Sequence, residues 1–314
     1  MKKNLNELFE EFVRESRYSL GLSEVTIRGY ESSFKLLSEL IPNLSLDKIT
    51  PEVMNIFFEH LQKRKRLVGK GGIKVGVKNS TIATYRSKLS RFFDWLRIRK
   101  YIDHNPFMYI KAPKVEYLDK KFIKKDDIDK IISAVLINID WKNSLLRKRN
   151  YAIVATFLFC GLRLNELVSL RLDDIDFDRM EVFVRGETSK TGHDRIVNMN
   201  LKLFQILKDY LEERKKTKNT SPYFFISSTH NSRFTKDGVK HMIKRLNDES
   251  GVKFHAHMFR HTFAMNCINQ GYDISELQQI LGHKGIKMTS IYLRCRPTHV
   301  MKAKANKLTF ENLI

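Results

Sequence analysis

The sequence predicts a mainly α-helical protein of two domains, with a small antiparallel β-sheet in the second domain. Three observations support this: apolar residues recur at helical spacing over most of the chain, positions 175 to 198 alternate like strands, and Pro106 and Pro113 interrupt the helical pattern. With 314 residues, 42% of them hydrophobic, the chain is long enough for two ordinary domains. We predict a helical domain over 1–113, a linker at 114–121 and a second domain over 122–314.

Amphipathic helices form most of the predicted first domain. The first helix carries one apolar stripe, made of Leu5, Leu8, Phe9, Phe12 and Val13. Ser23 has the residue type and position of an N-cap for the second helix. Residues 64–79 contain four glycines, many lysines and no acid, which predicts a mobile basic loop. The Gly-x-x-x-x-Gly-Lys-Ser/Thr spacing of a nucleotide-binding loop is missing there.

The chain is strongly basic, with 57 Lys and Arg against 35 Asp and Glu and a formal net charge of +22. Thirteen of these basic residues and a single acid, Asp94, lie between positions 62 and 100. A solvated helix surface is one explanation, but so much concentrated like charge favours a face that binds a polyanion such as nucleic acid. The candidate nucleic-acid-binding residues are Lys63, Arg64, Lys65, Arg66, Lys70, Lys74, Lys78, Arg86, Lys88 and Arg91.

The second domain is predicted to combine helices with one short sheet. A helix begins near position 125 with acids in its first turn, and an apolar helix spans Asn150 to Cys160. The segments IDFDRMEVFVRG and DRIVNMN alternate as antiparallel strands do, and the turn between them carries Lys190. From about position 201 the pattern is helical again.

Cysteine usage and the absence of targeting signals predict a cytoplasmic protein. The three cysteines are widely separated and have no metal-ligand spacing, which indicates a reducing compartment. The first residues lack an apolar signal-peptide core, and the longest apolar run, YAIVATFLFC, is too short to cross a membrane.

The stretch HAHMFRHTFA, residues 255–264, concentrates three histidines and an arginine. A zinc-protease helix needs Glu directly after its first His, but Met258 follows His257 here, and Arg260 would repel a cation. We therefore expect no metal ion at this stretch. Phe259, Phe263 and Cys267 recur every four residues and predict a buried stripe, with His257, Arg260, His261 and Ala264 on the other side. A guanidinium between two imidazoles suits a phosphate.

Further groups of the same chemistry are spread along the second domain. Arg163 follows an apolar helix and is followed by Glu166, which can brace it. Lys190 is placed on a hairpin tip, and His283 precedes Tyr292 by nine residues. Each residue alone has a structural explanation, such as core packing for a tyrosine or solvation for a lysine. The ordered set is far more specific than any member.

In order and spacing, these motifs resemble those of the tyrosine recombinase (integrase) family. The likeness spans roughly residues 121–314, and LSEVTIRGY, STIATYRSKLSRFFDWL and NPFMYIKAP resemble the SAM-like core-binding domain that precedes the catalytic domain in this family. The resemblance implies an Xer-like, two-domain, C-shaped clamp on DNA.

The resemblance also implies a role for each reacting group. Tyr292 would attack the scissile phosphate and form a covalent 3′-phosphotyrosine, His257 would be its general base, and Lys190 would protonate the departing 5′ oxygen. Arg163 and Arg260 would stabilise the non-bridging oxygens.

Three further residues complete the implied site. His283 would hydrogen-bond the phosphate, while Glu166 and His261 would support the reacting groups without contacting the phosphate themselves. No metal, ATP or other cofactor is implied. The chain departs from the family pattern at Cys160, where threonine is common, and at Arg294 and Arg296 after the tyrosine. His255 receives no role.

The family's mode of action implies a homotetramer on two DNA duplexes, assembled from monomers, with a Holliday junction intermediate. The last residues, KANKLTFENLI, carry an apolar pattern that suits docking on a neighbouring protomer or packing on their own chain. Integration, excision or transposition of a mobile element is the expected role, and Xer-type dimer resolution is the alternative. A type IB topoisomerase and a non-catalytic DNA-binding accessory protein are the competing classes.

Overall fold

The computed structural model describes residues 3–69, 71–114, 122–189 and 192–295, apart from the side chains at positions 68, 287, 294 and 295. Contacts between residues divide the chain into two units, Met1–Leu118 and Asp119–Ile314. Several sequence predictions fall outside the described residues: those for Lys70, Lys190, Arg296, most of the linker and the C-terminal segment.

Four α-helices build the described part of the first unit, as the apolar periodicity predicts. They are α1 (Leu5–Tyr18), α2 (Glu24–Leu40), α3 (Pro51–Lys63) and α4 (Asn79–Ile98). The predicted stripe of α1 is buried, and Ser23 accepts a hydrogen bond from the Thr26 amide as an N-cap does. Aromatic rings fill the core, where Phe9 stacks on Phe34 at a centroid distance of 3.9 Å.

The glycine-rich basic segment is a hairpin, so the predicted loop is wrong. Strands β1 (Lys65–Val68) and β2 (Gly72–Val75) pair antiparallel, with Leu67 opposite Ile73. The β-branched residues that alternate along the second strand indicate a strand more strongly than the lysines and glycines indicate a loop. Gly76 fixes the base of the hairpin: its φ is +69°, and a Cβ there would lie 2.4 Å from the Gln62 carbonyl oxygen.

Seven helices and a three-stranded sheet make up the described part of the second unit. The helices are α5 (Lys125–Ser133), α6 (Ser144–Cys160), α7 (Leu164–Ser169), α8 (Leu201–Lys215), α9 (Lys236–Ser250), α10 (Ala256–Asn269) and α11 (Ile274–Leu281). The strands β3 (Ile175–Asp176), β4 (Glu181–Val184) and β5 (Arg195–Asn198) form the predicted antiparallel sheet in that order. Helix α6 begins earlier than predicted because Asn143 caps it.

Helix α10 is buried on almost every side: the predicted stripe is buried, and so is most of the side opposite it. Phe259 packs in the main core, while Phe263 and Cys267 join a smaller cluster with Tyr292. Arg260 and His261 on the other side are 1% and 7% exposed. Polar side chains can lie inside because each finds a hydrogen-bonding partner.

Two cysteines of this unit lie in apolar surroundings. Burial raises the pKa of the Cys160 and Cys267 thiols to about 12. Both therefore remain protonated and unreactive near neutral pH. Within the described ranges, no helix is at once long and apolar enough to cross a membrane.

Gly161→Ala is expected to destabilise the second unit by about 2–4 kcal/mol. Gly161 ends α6 with φ +59°, and a Cβ there would lie 2.3 Å from the Phe263 ring, so backbone strain and overpacking add. Gly251→Ala is the matched control, since Gly251 ends α9 with φ +69° and has open space around it. We expect the control to cost only about 1–2 kcal/mol in urea unfolding. Equal costs for the two variants would contradict the packing argument.

Candidate active site

The C-terminal end of α11 binds three guanidinium groups through three consecutive main-chain carbonyls. Gly282 ends this helix in the left-handed region, with φ +61°, and its amide and that of His283 bond back into the last turn. The carbonyl end of a helix carries partial negative charge and attracts cations. The pairs are Arg195 Nε to Ile280 O at 2.7 Å, Arg260 Nη2 to Leu281 O at 2.6 Å, and Arg163 Nη2 to Gly282 O at 3.3 Å.

Glu166 is the carboxylate that two of these arginines share. Its side chain is fully buried; Oε1 accepts from Arg163 Nη1 at 2.8 Å and from Arg195 Nη1 at 3.2 Å. Oε2 accepts from Arg195 Nη2 at 2.7 Å and from the Arg163 amide at 2.8 Å. Burial alone would raise the pKa of Glu166, but the hydrogen bonds and charge of Arg195, with the bonds from Arg163, lower it to about 2. Glu166 is therefore ionised at neutral pH.

Arg260 lies deepest in this group. It is 1% exposed, and Nη1 donates to the Gly161 carbonyl at 2.8 Å, which ties α10 to the end of α6. Burial lowers the pKa of the Arg260 guanidinium to about 9, and repulsion from Arg163 and Arg195 contributes to the shift. Three guanidinium groups around one carboxylate leave an excess of positive charge, which suits a bound anion.

Tyr292 lies beside this positive cluster and is 2% exposed. Its hydroxyl oxygen lies 2.7 Å from His261 Nδ1, and its ring packs in the cluster that contains Phe263. Burial raises the pKa of the Tyr292 phenol to about 12, although Arg260 and Arg163 act in the opposite direction. The phenol is therefore protonated at neutral pH and needs a base before it can attack.

The other two histidines of the predicted site lie close to this pair. His257 is exposed in the first turn of α10, and its ring lies 4.6 Å from that of His261, centroid to centroid. His283 follows α11, and its Nδ1 lies 2.8 Å from the Thr289 hydroxyl. The structure thus brings together Arg163, Glu166, His257, Arg260, His261, His283 and Tyr292.

Lys190 lies outside the described residues, but the turn that leads to it is well anchored. Asn165 Nδ2 donates to the Thr188 carbonyl at 2.6 Å, so α7 holds one side of the turn. A Cβ on Gly186 would lie 2.6 Å from the Gly192 carbonyl oxygen, so glycine permits the close backbone approach at its base.

Arg195 is the buried charged residue of the site that the sequence analysis missed. It begins β5, and its side chain is 7% exposed. Val197 and Met199, which alternate with it, are buried, whereas Ile196 is 53% exposed. A charged residue in the inward register of a strand is the signal that identifies it.

The candidate nucleic-acid-binding residues differ in their exposure and in their hydrogen bonds. Lys65, Lys74, Lys78 and Arg91 are exposed. Arg86, in contrast, donates to two carbonyls of its own unit, at Phe107 and Ile110, and Lys88 donates to Thr26. Of the remainder, Lys63 is exposed, while Arg64 and Arg66 are half-buried.

Two family models match the chain. One, described as the phage integrase SAM-like domain, matches residues 4–116, and the other, described as the phage integrase family, matches residues 121–299. The predicted fold class, a SAM-like helical domain followed by an integrase domain with a small sheet, is confirmed.

Relatives match along nearly the whole length of the chain. A tyrosine recombinase of Thermosipho africanus (strain TCF52B) is 29% identical over 298 residues, which cover 91% of this chain and 93% of the relative. The tyrosine recombinase XerD of Listeria monocytogenes serovar 1/2a (strain ATCC BAA-679 / EGD-e) is 27% identical over 307 residues and covers 96% of each chain.

Solved structures share the fold. The Tn1549 transposon integrase in complex with transposon right end DNA has a TM-score of 0.77 at 19% identity, covering 97% of this chain and 99% of that chain. A lambda integrase tetramer bound to a Holliday junction has a TM-score of 0.69 at 20% identity, covering 90% of this chain and 78% of that chain. With a family model matched over more than half of its length, the chain belongs to the phage integrase family.

Proposed function

We propose that the protein is a site-specific tyrosine recombinase that cleaves and rejoins DNA strands through a covalent 3′-phosphotyrosine. The observation that carries this proposal is the tyrosine beside three guanidinium groups, of which two share the carboxylate of Glu166 and the third, Arg260, bonds only to main-chain carbonyls in the described structure. Excess positive charge in a water-poor site stabilises the charge that a phosphate gains when it is attacked. The names of the relatives, which are tyrosine recombinases, support the same reaction.

Cleavage is a transesterification in which one phosphate ester replaces another. The oxygen of Tyr292 forms a bond to the phosphorus and gives its proton to a histidine, while the bond to the 5′ oxygen breaks. Lys190 supplies the proton to that leaving oxygen, and Arg163 and Arg260 hold the non-bridging oxygens. In rejoining, a 5′ hydroxyl attacks the phosphotyrosine and the bond to Tyr292 breaks. No ATP is needed because the energy of the ester is conserved.

We assign the base to His257, with His261 and Glu166 in support and His283 as a donor to the phosphate. His257 is exposed, so a DNA phosphate can approach it, whereas His261 is buried against the phenol in the described state. For attack, Tyr292 must leave its buried position, since a nucleophile has to reach the phosphorus in line with the leaving oxygen.

We propose that the hairpin and α4 form a DNA-binding surface, from which Arg86 and Lys88 are left out because they bond within their own unit. Lys65 and Lys74 are exposed on the two strands, and Lys74 lies opposite Arg66, so like charges meet across the hairpin, which is unfavourable unless a polyanion lies against them. Arg66 is half-buried and donates to the Gly76 carbonyl, so the two lysines are the main candidates.

Binding to a random-sequence duplex should therefore weaken by about three to five orders of magnitude between 50 and 200 mM salt. The double variant Lys65→Ala/Lys74→Ala should lower the slope of log affinity against log salt by about 2, since each phosphate contact contributes about 0.9. Lys48→Ala is the matched control, because Lys48 is exposed in the same unit but lies outside this surface. An unchanged slope in the double variant would remove the hairpin from the DNA interface.

We propose that the chain acts as a homotetramer on two duplexes and moves or integrates a mobile element, with its domains at 1–113 and 122–314. The lambda integrase tetramer on a Holliday junction supports the assembly, and the Tn1549 transposon integrase supports the role. Xer-type dimer resolution is the second candidate, favoured by the likeness to XerD. Either reaction would place the protein at the nucleoid in the cytoplasm.

The reaction can be tested with a library of nicked suicide duplexes whose central sequence is randomised. A nick near the cleavage site makes the fragment with the new 5′ hydroxyl so short that it diffuses away. Rejoining is then impossible, and the covalent adduct accumulates. We expect adducts that survive denaturant, are destroyed by protease, and yield one enriched sequence. An accessory DNA-binding protein would give no adduct. A topoisomerase would give adducts on unrelated sequences and relax supercoiled DNA without recombinants.

A further inference from the structure

We infer that Arg195 is a positioning residue that keeps Arg163 available for the scissile phosphate. The inference rests on the proposed function and adds a fourth basic residue, besides Arg163, Lys190 and Arg260, on which phosphate chemistry depends. Arg195 would act through Glu166 and the end of α11, without touching DNA.

Glu166 is bound more completely by Arg195 than by the guanidinium of Arg163. Arg195 binds both carboxylate oxygens, with Nη2 2.7 Å from Oε2 and Nη1 3.2 Å from Oε1, whereas the Arg163 guanidinium binds Oε1 alone, at 2.8 Å. A fully buried carboxylate with a single guanidinium partner binds that partner strongly in two-point geometry. By binding both oxygens, Arg195 prevents Glu166 from pairing with the Arg163 guanidinium at two points, and Arg163 retains charge for a ligand.

Arg195 also holds the backbone that receives the guanidinium groups. Arg195 Nε donates to the Ile280 carbonyl at 2.7 Å, so the same side chain joins β5 to the end of α11. The next two carbonyls accept from Arg260 and Arg163. The end of α11 comes so close that a Cβ on Gly282 would lie 3.2 Å from Arg195 Cδ.

Lysine cannot replace the arginine at position 195. Glu166 and the Ile280 carbonyl are bonded by opposite ends of one planar guanidinium, through Nη1 and Nη2 on one side and Nε on the other. Lysine has a single ammonium and cannot make both contacts in this geometry. The site therefore requires arginine at position 195, and not merely a positive charge.

The test uses three variants of the full chain. Arg195→Met removes the positive charge and keeps a long side chain. Arg195→Lys keeps the positive charge but loses the planar set of N–H donors of the guanidinium. Arg214→Met is the matched control, because Arg214 is also largely buried in the second unit and donates to the Ser221 and Tyr223 carbonyls, which take no part in the contacts of the site described above. Each variant is compared with the parent for duplex affinity and for the rate of adduct formation at saturating DNA. The duplex carries either the normal scissile phosphate or a methylphosphonate, whose neutral phosphorus centre needs less positive charge.

We expect Arg195→Met to slow cleavage of the normal phosphate by about a hundredfold with affinity nearly unchanged, as a small misplacement of a catalytic group does. The deficit relative to the parent should shrink to less than about tenfold on the methylphosphonate, since less charge remains to be stabilised. Arg195→Lys should show the same pattern in weaker form, and this variant decides the question if the methionine variant does not fold. Arg214→Met should cleave both substrates at the parental rate.

Two results would overturn the role of Arg195. One is cleavage by both Arg195 variants as fast as by the control. The other is an equal deficit on the two substrates, which is what a general loss of structure produces. If the parent itself gives no adduct, the proposed function fails, and that result is distinct from either of these.

Discussion

Tyr292→Phe is expected to abolish the covalent protein–DNA adduct, with a loss of at least about a thousandfold in adduct formation. The substitution removes the one oxygen that would bond to phosphorus, and no rearrangement of the ring can replace it. The loss is not expected to come from unfolding. The ring keeps its packing, and the lost hydrogen bond to His261 costs only about 1 kcal/mol.

The measurement is adduct formation on the enriched duplex, with affinity for the same duplex measured alongside. Tyr272→Phe is the matched control, because Tyr272 is 43% exposed in the same unit and should leave the rate unchanged. If Tyr292→Phe formed the adduct as fast as the parent, another residue would be the nucleophile and the assignment of the site would be wrong.

Lys190→Ala is expected to slow cleavage by about two to four orders of magnitude, the usual contribution of a general acid. The 5′ alkoxide is a poor leaving group unless it is protonated as the bond breaks. A 5′-bridging phosphorothiolate replaces that oxygen with sulfur, which leaves without a proton. On this substrate the variant should cleave within about tenfold of the parent.

The same substrate separates Lys190 from the other residues of the site. Tyr292→Phe should not recover on the phosphorothiolate, because its defect concerns the attacking atom. If Lys190→Ala stayed equally slow with the sulfur leaving group, Lys190 would have to be removed from the acid role.

The residue types of the site were more predictable from the sequence than their contacts. Arg163, Arg260, His283 and Tyr292 carry a charge or a nucleophile at motif spacing, and the structure brings them together. The sequence does not reveal that His261, placed in support, is the residue bonded to the phenol. Two histidines four positions apart share a helix face, and only tertiary packing decides which one a third residue meets.

The fold departs from what the sequence indicates at two places, for different physical reasons. In the hairpin, the lysines and glycines favoured a loop over strands. The strand residues Leu67, Ile73 and Val75 are exposed, whereas apolar residues of this kind are usually buried. In α10, the sequence does not reveal that the side opposite the stripe is buried too, where carbonyls of other elements satisfy the hydrogen bonds of Arg260 and permit its burial. Arg195 was missed for this reason as well. Long-range partners such as the Ile280 carbonyl leave no local pattern in the sequence.

The carbonyl acceptors at the end of α11 are main-chain atoms, so no side-chain substitution in that helix can delete them. The relative placement of the three cations is therefore encoded in where the helix stops, which Gly282 determines, and in the rigid planarity of successive peptide units. The outward-facing side chains of α11 therefore have no part in positioning the three guanidinium groups. A recombinase built this way can vary that helix surface while its phosphate chemistry stays the same.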